Sequence, residues 1–173
     1  MRFYAAAGNI NFSDDFQELH SVTGTMAPIA SVPITQIMCE LSGRSPFGGG
    51  LLKVQTYEVN TLLLVNPQSL KPVQSRAICM SFNRLREQPI RSIFEELGFT
   101  LCRARGCGHP EHPYEHVQPD ELTLEQVRKV SPDRFKLDQV IFDVLELTDE
   151  ERRDVYRAVA QLVKERLVRA RSV

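Results

Sequence analysis

The sequence has no tryptophan, no long apolar run and no dominant sign of charge. Without an uninterrupted apolar stretch of about 18 residues, no transmembrane helix is expected. The start, "MRFYAAAGNINFSDDF", carries one arginine and only a short alanine stretch, so it does not read as a secretory signal. A cytoplasmic location with reduced thiols is the expectation for its four cysteines. Cys39 and Cys79 lie in apolar surroundings and read as core residues. A formal net charge of −1 removes any global basic field for nucleic acid, though not a local basic face. What remains is a chain of 173 residues, 42% hydrophobic and 25% charged. That composition suits one globular domain, alone or with an appendage.

Nucleotide-binding fingerprints are missing as well. "GRSPFGGGLLKVQTYEV", residues 43–59, holds Gly48, Gly49 and Gly50 in a row. A P-loop needs its glycines followed by Lys-Ser/Thr at the start of a helix, so that helix and lysine share the phosphates. Here β-branched residues follow, and Lys53 precedes Val54. A dinucleotide fold needs a strand before the glycines and a helix after them, and the order read here is the reverse. Two readings stay open. One is a helix-to-strand connection that needs glycine's freedom. The other is a loop whose bare backbone, flanked by Arg44 and Lys53, approaches a polyanion. "NPQS", residues 66–69, is similar to the Asn/Asp-Pro-Pro-aromatic motif of amino-methyltransferases, but Ser69 cannot stack on a base and Gln68 replaces the second proline. It reads as a strand terminator.

No nucleophile–base pair stands out. "CRARGCGHPEHPYEH" places Cys102, Cys107, His109, His112 and His116 close together, with three of the chain's four histidines. Thiolate and imidazole are zinc's preferred ligands. Cys102, Cys107, His109 and either His112 or His116 would make a closed, structural zinc site. The alternative is a surface loop with chance histidines, since the cysteine spacing is loose and no second cysteine pair completes a ribbon. The last stretch carries Arg152, Arg153, Arg157, Lys164, Arg166, Arg169 and Arg171. It reads as a solvated helix face with pairing one turn apart, or as a set of DNA-phosphate contacts.

Periodicity gives an α+β expectation: short N-terminal strands and a helix with a small sheet, followed by a mainly helical C-terminal part. "RFYAAA", "INFSDDFQEL", "LLKVQTYEV" and "TLLLV" read as strands, and residues 21–32 as loop. "PITQIMCELSGR" fits a helix with Pro33 in its first turn, Gly43 as its stop, and Ile34, Ile37, Met38 and Leu41 on its apolar face. Pro89 is expected to open the helix of "PIRSIFEELG", with Ile90, Ile93, Phe94 and Leu97 facing inward and Gly98 ending it. Residues 98–131 read as an irregular Cys/His-rich loop. "PDRFKLDQVIFDVLEL" reads as a helix with a stripe of Leu137, Val140, Ile141, Val144 and Leu145. Thr148, with Glu151 three residues on, caps a last helix whose stripe is Val155, Val159, Leu162, Val163 and Leu167. This divides the chain into an α/β part, residues 1–70, and a helical part, residues 71–173.

"ELSGRSPFGGGLLKVQTYEVNTLLLVNP" resembles the C-terminal region of adenine-specific, S-adenosylmethionine-dependent DNA methyltransferases of restriction–modification systems. There a Glu-Leu-x-Gly-Arg-x3-Gly-Gly-Gly-Leu-Leu segment leads into strands ending in Asn-Pro. "RSIFEELG" and "SPDRFKLDQVIFDVLELTDEERRDVYRAVAQLVKERLVRARSV" are similar to the closing stretch of the same proteins, where Pro-Asp-Arg-x2-Leu-Asp opens one helix and LT-x-EER-x2-VY marks the last. The resemblance runs from about residue 9 to Val173, with the motifs in order. The cofactor loop and the Asn-Pro-Pro-aromatic motif of those enzymes have no counterpart here. The resemblance implies a separately encoded or truncated target-recognition piece, with DNA as partner and S-adenosylmethionine serving the parent enzyme only. Arg44, Gly48, Gly49, Gly50 and Lys53 would be its DNA-binding residues. The alternatives are a structural module docking on a separate methyltransferase catalytic subunit, and a small zinc-stabilised binding domain.

Overall fold

A computed structural model describes residues 24–44, 52–101, 114 and 116–170. In chain order the helices are α1 (Met26–Ala30), α2 (Pro33–Ser42), α3 (Thr56–Val59), α4 (Pro72–Arg86), α5 (Ile93–Glu96), α6 (Leu124–Val130), α7 (Pro132–Val144) and α8 (Asp149–Arg169). Short 3-10 turns cover Pro67–Ser69 and Pro119–Glu121. No helix among the described residues is long and apolar enough to cross a membrane.

The α+β expectation with a small sheet is overturned. The described residues form no sheet, and their one β-type pairing is an isolated bridge between Arg44 and Lys53. The segment read as "LLKVQTYEV" turns helical instead. Glu58 Oε2 accepts from the Gln55 backbone N–H at 2.6 Å, the reach-back half of a capping box. That contact organises one turn at Thr56–Val59 against the β-branched propensity of its neighbours. The following apolar residues 62–65 pair with no strand among the described residues. Leu64 and Val65 pack on the helical core. Asn66 opens a 3-10 turn, its Oδ1 accepting from Gln68 N–H at 3.0 Å. The strands read at "RFYAAA" and "INFSDDFQEL" lie outside the described residues.

The helices read from periodicity and caps form where expected at α2, α7 and α8. Thr148 and Glu151 make a reciprocal capping box at the start of α8. Others shift. α1 occupies part of the expected loop, and α6 part of the irregular 98–131 stretch. Ser92, not Pro89, opens α5, because Ser92 and Glu95 cap each other. Ile90 stays exposed ahead of it. Gly98 ends α5 at φ +87. Phe99 N–H donates to Phe94 O at 2.8 Å, and Gly98 N–H to Glu95 O at 3.2 Å, the two bonds of a Schellman cap. Glu146 does the same job after α7 at φ 55, with Leu147 N–H donating to Phe142 O and Glu146 N–H to Asp143 O.

Two apolar clusters fill the interior. One gathers Ile29, Val32, Ile78, Phe82, Leu137 and Ile141 from α1, the turn before α2, α4 and α7. The other gathers Phe94, Leu97, Val127, Phe142, Tyr156 and Val159 from α5, α6, α7 and α8. Helix α7 lies between them, and Phe142 meets Tyr156 edge-on at 5.6 Å between ring centres. In α2 Pro33, Thr35, Gln36 and Cys39 are buried, Ile34 and Ile37 of the stripe read from sequence are half-buried and pack on the core, and Leu41 is 63% exposed. The Thr35 hydroxyl satisfies itself on the Ile29 carbonyl at 3.0 Å.

A charged cluster sits within this interior. Arg134 of α7 is 1% exposed. Its Nε and Nη2 reach Glu96 Oε2 at 3.2 and 2.8 Å, and its Nη1 donates to the Ser31 carbonyl. Nη1 lies 3.8 Å from Asp138 Oδ1. Asp138 is fully buried, and its Oδ2 accepts from the Tyr156 hydroxyl at 2.9 Å. One guanidinium thus faces two carboxyls. Burial pushes Asp138 from 3.8 up to about 7, against the opposing pull of Arg134 and the Tyr156 hydrogen bond. Burial also pushes the Tyr156 hydroxyl well above its usual range.

The sign of the pH effect follows. A carboxyl whose pKa rises on folding takes up protons in the folded state, so its stabilising share is full below the unfolded value. That share is lost as pH rises from about 4 through about 7. Thermal melts of the wild type and Asp138→Asn between about pH 5 and about pH 8 test this. The wild-type Tm is expected to fall relative to the variant's as pH rises. Parallel profiles would show that Asp138 does not titrate in this window.

Candidate nucleic-acid interface

The Gly-Arg…Gly-Gly-Gly segment begins where α2 stops. Gly43 N–H donates to the Cys39 carbonyl at 2.8 Å, and the backbone then turns extended, with φ −77 and ψ 167 at Gly43. Glycine is needed here for space, not for a left-handed conformation. A Cβ on Gly43 would stand 2.7 Å from Leu52 Cδ1 and 2.8 Å from the Cys39 carbonyl oxygen. The close approach lets Leu52 cross over the end of α2.

Next to it, Arg44 and Lys53 exchange both backbone hydrogen bonds. Arg44 N–H donates to Lys53 O at 2.9 Å, and Lys53 N–H to Arg44 O at 2.8 Å. This is the hydrogen-bonded pair of an antiparallel ladder, one rung long. It closes the chain between the two cations into a loop with a defined stem. Gly48, Gly49 and Gly50 lie within that loop and outside the described residues.

The stem's side chains differ in their engagement. Arg44 Nε is 2.9 Å from Glu58 Oε1. Its Nη2 donates to the Tyr57 hydroxyl, and its guanidinium carbon lies 5.5 Å from the Tyr57 ring centre. The Gln55 N–H bond, with Arg44 beside it, holds the Glu58 carboxyl below its usual value. Arg44 is therefore a partnered cation on an exposed surface. Lys53 is exposed, with no ion pair among the described residues. Tyr57, 55% exposed, adds an aromatic face that the strand reading of this segment missed. The one-turn helix α3, itself made by Glu58, presents it.

Of the proposed zinc ligands, Cys102, Cys107, His109 and His112 lie outside the described residues. His116 is described, with Nε2 3.4 Å from the Thr100 carbonyl oxygen. Among the described residues no group of three or more His, Cys, Asp or Glu side chains converges as a metal site. Cys39 is buried and Cys79 half-buried. Burial raises both thiols, which makes them poor nucleophiles and poor metal ligands.

The basic C-terminal helix resolves into pairs. Arg152 meets Asp143 at 2.7 Å, Arg153 meets Glu150 at 3.3 Å, and Arg157 meets Asp154 at 3.7 Å. Lys164 Nζ donates to the Val117 carbonyl at 2.7 Å, and Arg169 lies 3.6 Å from Glu165. Arg166 grips both oxygens of Glu40 on α2, at 2.7 and 2.9 Å. Arg171 lies outside the described residues. The cations of α8 fasten this helix to itself and to its neighbours.

Gly43→Ala isolates the spatial requirement, because alanine tolerates the Gly43 backbone conformation and only the close approach is violated. The substitution is expected to cost about 1–3 kcal/mol, the usual range for overpacking. Urea denaturation measures it, and a cost near zero would mean that Leu52 moves aside freely. Comparison with protein-family models, with curated proteins and with solved structures finds no match to this chain.

Proposed function

We propose that the chain is the DNA-recognition and C-terminal module of an adenine-specific DNA methyltransferase of a restriction–modification system. The methyl transfer and the S-adenosylmethionine site would belong to a domain that these residues do not include. The observation that carries the reading is the stem of the glycine loop. A Gly-Arg-x3-Gly-Gly-Gly-Leu-Leu-Lys segment is pinched at its base by the Arg44–Lys53 backbone pair. Each end of the loop carries a cation, Arg44 paired with Glu58 and Lys53 exposed, and the exposed Tyr57 stands beside Arg44. Bare backbone between fixed cations suits phosphate contact, and an exposed ring suits stacking on an unpaired base.

The motif order adds support. Pro132, Asp133, Arg134, Leu137 and Asp138 match the Pro-Asp-Arg-x2-Leu-Asp pattern of the resemblance, and Arg134 and Asp138 meet in the interior. The pattern thus has a structural reason to persist as a unit. A module that docks through α7 and α8 on a catalytic subunit is less well supported. Both helices turn their apolar stripes onto this chain's own clusters.

Binding of a labelled DNA duplex, followed by anisotropy across a salt series, tests the proposal. The expected result is binding at low salt whose log affinity falls linearly with log salt concentration. Absence of binding at low salt, or binding indifferent to salt, would remove DNA as the partner.

A further inference from the structure

The cations of α8 are paired, whereas on α4 Arg76 and Arg86 have no ion pair among the described residues and Arg84 has only a long one to Asp133. Between Asn66 and Arg91 the chain carries Lys71, Arg76, Arg84, Arg86 and Arg91 against one acid, Glu87. With a whole-chain net charge of −1, the remainder is net acidic. Five cations against one acid leave this stretch net basic.

The fold displays those charges. Helix α4 buries Ile78, Ser81, Phe82 and Leu85 against α1 and α7. At about 100° per residue, Val73, Arg76, Met80, Asn83 and Arg84 fall within an arc of roughly 100° on the other side. All five are exposed, as are Arg86, about 60° beyond the arc, and Lys71 at the N-cap. Arg76 and Arg86 have no ion pair among the described residues. Arg84 reaches an acid only at 4.0 Å, on Asp133. Arg91, by contrast, is turned inward onto the Ser131 hydroxyl at 2.9 Å. Glu87 is the single acid of the 66–91 stretch itself, and Asp133 of α7 stands near Arg84.

Helix stability explains only part of this pattern. Arg84 and Arg86 lie in the last turn, where a cation complements the helix dipole. Lys71 stands at the N-cap, where a cation opposes the dipole, and Arg76 sits mid-helix with no acid one turn away. Val73 and Met80 stay open between these cations, so a partner would meet apolar contact as well as charge.

We propose that the outward face of α4 is a phosphate-contacting surface for duplex DNA, carried by Arg76, Arg84 and Arg86 with Lys71 at its N-terminal end. The proposal rests on the DNA reading above and assigns it a second contact element besides the 44–53 loop. The occupant is argued from charge complementarity and shape. A helix of 15 residues is about 22 Å long, and the major groove admits an α-helix. Cations at both ends and in the middle match phosphates that recur along the groove wall, and Asn83 beside Arg84 offers the donor and acceptor that base edges use. A single acidic side chain or small anion would not engage charges spread along four turns.

Salt-dependent duplex binding of the full chain tests the assignment, with Arg76→Gln/Arg86→Gln compared to Arg153→Gln/Arg157→Gln on α8. Arg76 and Arg86 are exposed and Arg153 and Arg157 half-buried, and thermal melts check that the variants fold. Each phosphate contact contributes about 0.9 to the slope of log affinity against log salt. The α4 double variant should therefore lower the slope by about 1.8 and weaken binding at low salt, while the α8 double variant leaves the slope unchanged. A wild-type slope that the α4 variant does not alter overturns the α4 assignment and leaves the DNA reading standing. A wild-type chain that binds no duplex overturns the DNA reading, and this assignment with it. Polyglutamate that competes as well as duplex, charge for charge, overturns it in favour of an acidic protein partner.

Discussion

Arg134 reaches Glu96 on α5, the Ser31 carbonyl between α1 and α2, and Asp138 one turn further along α7. Through Asp138 the contact extends to Tyr156 on α8. One buried cation therefore joins the segments that divide the two apolar clusters. A guanidinium in this position demands partners on several sides, because leaving a buried charge uncompensated costs roughly 3–5 kcal/mol. Removing both charges and refilling the space with apolar atoms is often neutral or better for stability. What the cluster supplies is position: it fixes the turn before α2 and, through Tyr156, the third turn of α8 on either side of α7. The end of α2, where the glycine loop departs, inherits its placement from that arrangement. The Arg166–Glu40 pair holds α2 a second time, from the far end of α8.

Much of the helical framework was legible in the residues. Pro33, the stripe through Leu137 and Ile141, and the Thr148–Glu151 box act locally, so pattern and cap alone define α2, α7 and α8. The sheet was misread because residues 51–65 are rich in Leu, Val and Thr, and such runs do not reveal whether a partner strand exists. Glu58 decided the matter by capping one turn. Pro89 misled because proline suits a first turn, but Ser92 with Glu95 supplies two bonds there that proline cannot. The buried cluster did leave a trace. Arg134, Leu137, Asp138 and Ile141 fall at i, i+3, i+4 and i+7, so the two charges lie on the apolar stripe itself. A charged pair on an inward face signals burial, whereas the same pair off the stripe signals solvent.

The interface residues were legible in part. Arg44 and Lys53 stand out as flanking cations, but their backbone pairing and the Tyr57 beside them depend on a fold that sequence did not give. The densest run of arginines lies in the C-terminal helix, where it reads as a solvated paired face or as phosphate contacts. The structure separates density from availability. On α8 nearly every cation meets an acid or a carbonyl, and i,i+3 spacing of opposite charges makes those pairs local and cheap to form. On α4 the cations have almost no acids to meet. A nearly neutral chain can in this way carry a distinctly basic face, with the compensating acids gathered elsewhere.

In the proposed DNA reading, α4 and the stem of Arg44 and Lys53 meet the duplex and α8 braces the fold. Amide hydrogen exchange with and without a saturating duplex tests that division most directly. The predicted result is slowed exchange across Pro72–Arg86 and around Arg44 and Lys53, with Asp149–Arg169 unchanged. Protection confined to Asp149–Arg169, with α4 and the stem unaffected, would contradict it.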